Sequence, residues 1–359
     1  MQPRQTEKPV VGMVFDSALR RVDDALAMAL LYGLDGKKEE RLVSISVSRA
    51  NLKAAIYSDV VGRFYAGAVS GAIGFGGRTL PVGLAESSPL KNDERFFTAP
   101  LAKAGADGKP AYSSDIKDEL DTAEVAAVIR NALTAQWDGN TIIVVSGPAS
   151  NLARLLATGG AKDWIARKVQ LLVFTGGRFP EGPAEANVRD DLEAARNLFA
   201  EWPTPIVACG AEMDGVISYP AASIEKDFAW SPAHPVADAY RAGGVMPYDA
   251  PLWAMHSALY AVRPREGYFK LSEAGTISVL DDGRTRWTPS ANGKHRHLIF
   301  DPSQKDRIVK TYTEIASAKP VERPQRIPRP LPENQKPPDG KPPEVKPPEV
   351  KPPDKPPVR

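Results

Sequence analysis

One stretch decides the fold: Met13–Leu31, MVFDSALRRVDDALAMALL. Its first residues complete an apolar run, VVGMVF over 10–15, that reads as a strand buried on both faces. Asp16 closes that strand. After a short turn, Asp23 and Asp24 open a helix whose following residues are almost all apolar. A strand passing through a turn into a helix is half of a βαβ unit. Carboxylates at such a joint stand where open α/β sheets bind ligands. Yet Arg20 and Arg21 occupy the turn, where a metal site would want glycine or another acid.

The pattern repeats along the chain. Short apolar, β-branched runs at 41–47 (RLVSISV), 141–146 (TIIVVS), 169–175 (VQLLVFT) and 204–209 (TPIVAC) read as further buried parallel strands. Helical patterns are expected at 23–34, 51–66, 122–137, 150–158, 191–201 and 250–261. The expected fold is therefore α/β: a doubly wound, mostly parallel central sheet with helices on both faces, spanning 10–318. From Gly267 to Ile299 the pattern becomes a hairpin around the turn DDG, read as a small C-terminal appendage at a sheet edge.

Bulk composition narrows the function. With 42% hydrophobic and 25% charged residues, the 359-residue chain has the make-up of a soluble globular protein with a sizeable core. A net charge of +2 gives no reason to expect nucleic acid or an anionic membrane as partner. No apolar run approaches the ~20 residues of a membrane span. A single cysteine, Cys209, rules out an internal disulfide. No signal-peptide pattern precedes the first strand, so cytoplasmic is the default expectation, and export is expected if the start is trimmed. Residues 1–9 are expected to be disordered. In 319–359, 15 of 41 residues are proline and KPPEV occurs twice in succession. That tail is expected to be an extended spacer, or else a ligand for a proline-recognition module. The glycine-rich GAIGFGG at 71–77 does not follow the first strand, which argues against a dinucleotide fingerprint.

The strand-to-helix turns hold the candidate site residues. Asp16, Asp23 and Asp24 lie at the first. In VVSGPASN, Gly147-Pro148 follows a strand and a helix starts near Ser150; a free carbonyl there can ligate a hard cation. In GPAEANVRDD, Glu185 and Asn187 point the same way if extended, and Asp191 caps the next helix. Tyr248 and Asp249 precede the late helix. Asp23, Asp24 and Asp249 have a plainer reading as helix caps, and Glu185 and Asn187 as part of an ordinary polar loop. Together they put oxygen ligands along one sheet edge, a set that suits calcium or magnesium better than zinc.

This constellation resembles the inosine-uridine preferring nucleoside hydrolases, a family of calcium-dependent nucleoside N-ribohydrolases. The family's Asp-x-Asp-Pro-Gly-x-Asp-Asp-Ala corresponds to DSALRRVDDA, its Gly-Pro-x-Thr-Asn to GPASN, and its Glu-x-Asn followed by Asp-x-Glu-Ala-Ala to EANVRDDLEAA. The resemblance implies hydrolysis of a ribonucleoside to ribose and base, in purine or pyrimidine salvage. Water held by calcium attacks C1′ while carboxylates stabilise an oxocarbenium-like sugar. It implies Asp23 and Tyr248 in catalysis and Asn51, Glu185 and Asn187 on the ribosyl ligand. Calcium would sit on Asp24, Asp249 and the Ser150 carbonyl, joined by Asp16 if the register shifts. Relatives are commonly dimers or tetramers, so a homodimer or homotetramer is expected. One departure stands out. The family's second aspartate falls on Ala18 counted forward from Asp16, or on Leu19 counted back from Asp23, and neither residue ligates a metal. Tyr248 stands in place of the family's histidine. Two further expectations follow. Arg20 or Arg21 folds back and places a fixed cation near Asp24 and Asp249; and the chain is either an impaired hydrolase or a non-catalytic ribosyl- or nucleoside-binding protein.

Overall fold

Strand β1 (Gly12–Ser17) runs through the middle of the sheet with every residue buried. The computed structural model describes residues 10–67 and 80–321. The next strands are β2 (Arg41–Val47), β3 (Val82–Leu84), β4 (Ala123–Glu124), β5 (Thr141–Ser146), β6 (Val169–Thr175) and β7 (Ile206–Cys209). Then come β8 (Ser218–Tyr219), β9 (Ala250–Pro251), β10 (Phe269–Leu271), β11 (Gly275–Val279), β12 (Thr285–Pro289) and β13 (His295–Phe300). The helices are α1 (Val22–Gly36), α2 (Leu52–Gly67), α3 (Arg95–Leu101), α4 (Val125–Thr134), α5 (Ser150–Leu156) and α6 (Ala161–Lys168). They continue with α7 (Ala186–Arg189), α8 (Leu192–Glu201), α9 (Ala221–Lys226), α10 (Pro235–Gly243), α11 (Ala254–Val262) and α12 (Lys305–Ala316).

The main sheet has the order β12-β11-β13-β7-β6-β5-β1-β2-β3-β4, with β10 also paired to β13. From β13 to β4 every pairing is parallel. Alternate residues of the strands enter two separate cores. Met13, Phe15, Ile142, Val144 and Val207 pack on one face with α1, α2, α10, α11 and α12. Val14, Ile143, Val145, Phe174 and Ala208 pack on the other with α4, α5, α6 and α8. This two-residue alternation between two covered faces explains why the strands read as continuous apolar runs. Helix α1 is buried on nearly every side, wedged against α11 and α12, so it carries no polar stripe.

The hairpin expected near the C-terminus is β11–β12, and β13 joins it to the parallel strands. Its turn needs the glycine: Gly283 has φ +82°, in the left-handed region. Two expected helices start well after their patterns do. The one read over 122–137 starts at Val125, because Ala123–Glu124 pairs with β3 and the Glu124 carboxylate caps Ala126 and Ala127 N–H. The one read over 250–261 starts at Ala254, because Ala250–Pro251 pairs with β8. The described residues all fall within one compact unit, Met1–Arg323. The expectations for 1–9, for GAIGFGG at 71–77 and for the tail from 322 onward lie outside the described residues.

Between β5 and β1 the strand order reverses: from β1 the chain proceeds to β2 on one side, while β5 and β6 lie on the other. Such a switch point leaves a crevice at the carboxyl ends of the two strands. The β1–α1 turn and Ser146, the last residue of β5, both border it.

Candidate functional site

The crevice is a cavity of about 220 Å³ lined by Arg20, Arg21, Asp23, Asp24, Ser146, Glu185, Ala186, Asn187, Ala211, Asp214 and Trp253. Its shape begins with the β1–α1 turn. Leu19 is held at φ +45°, a left-handed conformation that costs a non-glycine residue roughly 1–2 kcal/mol. The surrounding bonds impose it. Ala18 N donates to Ser146 O (2.8 Å), and Leu19 N donates to the Ser17 hydroxyl (3.0 Å). The Arg49 guanidinium, 1% exposed, donates to Ala18 O (2.9 Å), Leu19 O (3.5 Å) and Asn92 O (2.5 Å).

Asp24 sits three residues after the helix N-cap and reaches back. Its Oδ2 accepts from Arg20 N (2.8 Å) and Arg21 N (3.1 Å), and its Oδ1 from the Ser146 hydroxyl (2.5 Å). The bond from Arg21 N is half of a capping box, and with the Ser146 hydroxyl both oxygens are occupied. Asp23 points to a different helix. It accepts from Trp253 N (2.7 Å), Ala254 N (2.6 Å) and Met255 N (3.3 Å), capping the start of α11. Burial pushes its carboxyl up to about 7; the neighbouring Arg21 and the α11 N–H groups pull it down, while the Asp24 charge raises it.

Glu185 caps the short helix α7. Its oxygens accept from Asn187 N (2.6 Å), Gly177 N (2.9 Å) and Val188 N (3.3 Å). Burial still holds its carboxyl above the usual glutamate range. Asn187 donates from Nδ2 to Thr175 O (2.8 Å), while its buried Oδ1 has no hydrogen-bond partner. The Arg20 Nε is likewise buried without one.

The arginines do enter the site, with different partners from those expected. Arg21 grips Asp214 through Nη1 (3.0 and 3.1 Å) and Nη2 (2.9 Å), and lies 3.9 Å from Asp23 Oδ2. It also sits 5.8 Å from the Trp253 ring centroid. Arg20 pairs with Asp190, on the opposite wall.

The structure thus brings Asp23, Asp24, Glu185 and Asn187 together. It does not bring the other candidates to this cavity. Asp249 is exposed, and its Oδ1 caps α9 by accepting from Ala221 N (2.9 Å). Tyr248 stacks on Tyr240 (4.6 Å between centroids) and donates its hydroxyl to Tyr240 O (2.6 Å); burial pushes it up to about 12. Asn51 caps α2 at Ala54 N (3.2 Å) and donates to Asp93 and to Lys91 O (2.9 Å each). Ser150 borders a separate cleft of about 460 Å³, where its hydroxyl donates to Asp191 (2.6 Å). Asp16 is fully buried beneath the turn, held by the Ser46 hydroxyl (2.5 Å) and Asn151 Nδ2 (2.7 Å); burial pushes it up to about 6.

A calcium ion of the kind the resemblance implies does not fit these donors. Both Asp24 oxygens and the Asp23 carboxylate already accept from protein groups, and Asp249 lies elsewhere. Among the described residues, no group of three or more His, Cys, Asp or Glu side chains is placed to hold a metal ion.

Asp214, Arg49, Ser146 and Trp253 were not anticipated. Asp214 lies in GAEMDG, the turn that follows β7 and so stands at the same carboxyl edge as the others. Ser146 is simply the last residue of its strand. Both could have been found by inspecting every strand end rather than only those rich in acids.

An α/β sheet with a polar, acid-bearing crevice at its switch point is the class of fold in which nucleoside hydrolases are built, and the comparisons place the chain there. Solved structures agree. The inosine-uridine preferring nucleoside hydrolase of Bacillus anthracis is 18% identical, covers 86% of this chain and 99% of its own, and superposes with a TM-score of 0.60. The purine-preferring ribonucleoside hydrolase of Gardnerella vaginalis is 16% identical, with 85% and 98% coverage and a TM-score of 0.60. The type III effector protein XopQ, solved with adenosine diphosphate ribose, is 15% identical, with 88% and 95% coverage and a TM-score of 0.60. The family model for inosine-uridine preferring nucleoside hydrolases matches residues 15–306, and the chain belongs to that family. No curated protein matches the chain. Among the described residues, no helix is long and apolar enough to cross a membrane.

Proposed function

We propose that this chain binds a ribosyl ligand in the crevice at the β5–β1 switch point, without calcium and without hydrolysing it. The observation that carries this reading is a pair of unsatisfied groups. Asn187 Oδ1 and Arg20 Nε are buried, have no partner, and belong to residues lining one cavity. An orphaned buried polar atom costs about 1–3 kcal/mol. A sugar hydroxyl is both donor and acceptor, the kind of group that pairs with either a free N–H or a free amide oxygen. Glu185, Asp23 and Asp24 complete a polar wall suited to a polyol. The volume of about 220 Å³ falls below the ~300 Å³ of a pocket for a drug-sized ligand, which favours the sugar moiety over a whole nucleoside. The neighbour solved with adenosine diphosphate ribose supports the same ligand class by analogy of fold.

Of the two residues that the resemblance puts in catalysis, Asp23 lines the cavity and Tyr248 does not. Tyr248 is committed to Tyr240 O and is not among the cavity's lining residues, so the residue standing in place of the family's histidine is not positioned to protonate a leaving base here. A second reading, slow hydrolysis, rests on one observation: the Asp23 carboxyl lines the cavity and is poised near neutrality. In that reading Asp23 takes a proton from a water whose oxygen bonds to C1′ as the C1′–N bond breaks, and the departing base takes up a proton in turn.

Two assays on the same sample separate the readings. Thermal unfolding is followed with ribose, inosine and uridine in EDTA, and the mixtures are then chromatographed for free base. The proposal expects ribose-dependent stabilisation and no base release. Base release dependent on Asp23 would establish the second reading. No stabilisation by any ribosyl compound would overturn both.

A further inference from the structure

Four acids and two arginines line the crevice, and both arginines come from the single turn between β1 and α1. Arg21 is the better placed of the two. Its guanidinium is bound to Asp214 by three hydrogen bonds of 2.9–3.1 Å, stands 3.9 Å from Asp23 Oδ2 and lies over Trp253 at 5.8 Å. It therefore bridges acids from two walls, one following β1 and the other following β7. Carboxylates confronting each other in a partly buried crevice require a positive charge between them. In an ordinary metal site that charge is a captured ion. Here it is tethered to the backbone, planar, and permanently protonated.

We infer that Arg21 is the resident cation of this pocket, a covalently attached replacement for a divalent ion, and that its side chain keeps metal from the Asp23–Asp214 pair. The turn geometry supports the assignment. With Leu19 in the left-handed region and Arg49 holding the carbonyls of Ala18 and Leu19, the chain at Arg20 and Arg21 turns so that both side chains reach the crevice. Arg20 is paired with Asp190 on the other wall, which leaves Arg21 alone between Asp23 and Asp214. The inference relies on the ribosyl-site reading only for the pocket's use, because its test needs no sugar.

The test is a metal titration of the full chain, read by terbium luminescence sensitised through Trp253 and confirmed by calcium calorimetry. Wild-type protein is expected to show no saturable terbium signal and no calcium heat up to millimolar concentrations. Arg21→Gln leaves Asp23 and Asp214 without their cation and is expected to gain saturable terbium binding, at least tenfold stronger than wild type and displaced by calcium. That gain should vanish again when Asp214→Asn is added. Arg21→Lys keeps a charge and should remain as refractory as wild type. If Arg21→Gln does not fold, Arg21→Ala takes its place. Calcium binding by the wild type, lost on Asp24→Ala, would overturn the inference. So would a folded Gln or Ala variant with the wild-type terbium response, or a Lys variant that binds as tightly as Gln. A protein that gains metal on Arg21→Gln yet never responds to ribose would sink the ribosyl reading and leave this one standing.

Discussion

Asp23 offers a direct contest between two forces, and Asp23→Asn measures which wins. The residue is 2% exposed, so burial favours its neutral form. Three α11 N–H groups and Arg21 favour the charged form. Burial prevails, moving the carboxyl from 3.8 to about 7. The sign follows directly. Between those values the folded protein holds a proton that the unfolded chain has released, so stability is full below about 3.8 and is lost as pH rises through about 7. At about 1.4 kcal/mol per pH unit, the full interval amounts to roughly 4 kcal/mol, an upper bound that relaxation and water entry reduce. Asparagine keeps an acceptor for the α11 cap and does not titrate. Urea unfolding of both proteins from pH 4 to pH 8 should show the Asp23→Asn variant gaining steadily on the wild type, by up to about 4 kcal/mol. A flat difference, or one that moves in favour of the aspartate, would refute the reasoning. It would mean that the helix N-terminus and Arg21 hold a true carboxylate there.

Three other outcomes are expected. Arg49→Met removes the buried donor to the carbonyls of Ala18, Leu19 and Asn92 and should cost about 3 kcal/mol in chemical denaturation, since each charged hydrogen bond is worth about 1.5–3 kcal/mol. Tyr248→Phe and Asp249→Ala each lose one bond made by a residue outside the crevice lining; both should cost about 1 kcal/mol by thermal melt and leave the response to ribose unchanged. Asn187→Ala takes away the orphaned acceptor and should weaken ribose about tenfold in equilibrium dialysis.

The scaffold was readable because its physics is local. Strands such as TIIVVS are covered on both faces, so composition alone marks them, and β5 and β6 fall where the pattern places them. The hairpin was readable from DDG, whose glycine the turn requires. The site was readable only in outline. Sequence placed acids at the sheet edge but could not say which donor each acid would meet. Asp24 turned to its own helix, Asp23 to α11, Glu185 to α7 and Asp249 to α9. Asp24 and Glu185 cap the helices they stand beside, as an acid at a helix start does, whereas the partners of Asp23 and Asp249 lie 230 and 28 residues away in the chain, beyond the reach of local pattern. Asp214 was missed for the same reason: its importance comes entirely from Arg21, 193 residues away.

The central claim is that this crevice recognises a ribosyl group with protein groups alone. The most direct measurement is isothermal calorimetry of D-ribose into the full chain, once in EDTA and once in excess calcium, with Asn187→Ala as control. The account predicts the same affinity in both buffers and about a tenfold loss in the variant. Ribose binding that appears only with calcium would contradict it, and would restore a metal to the place assigned to Arg21.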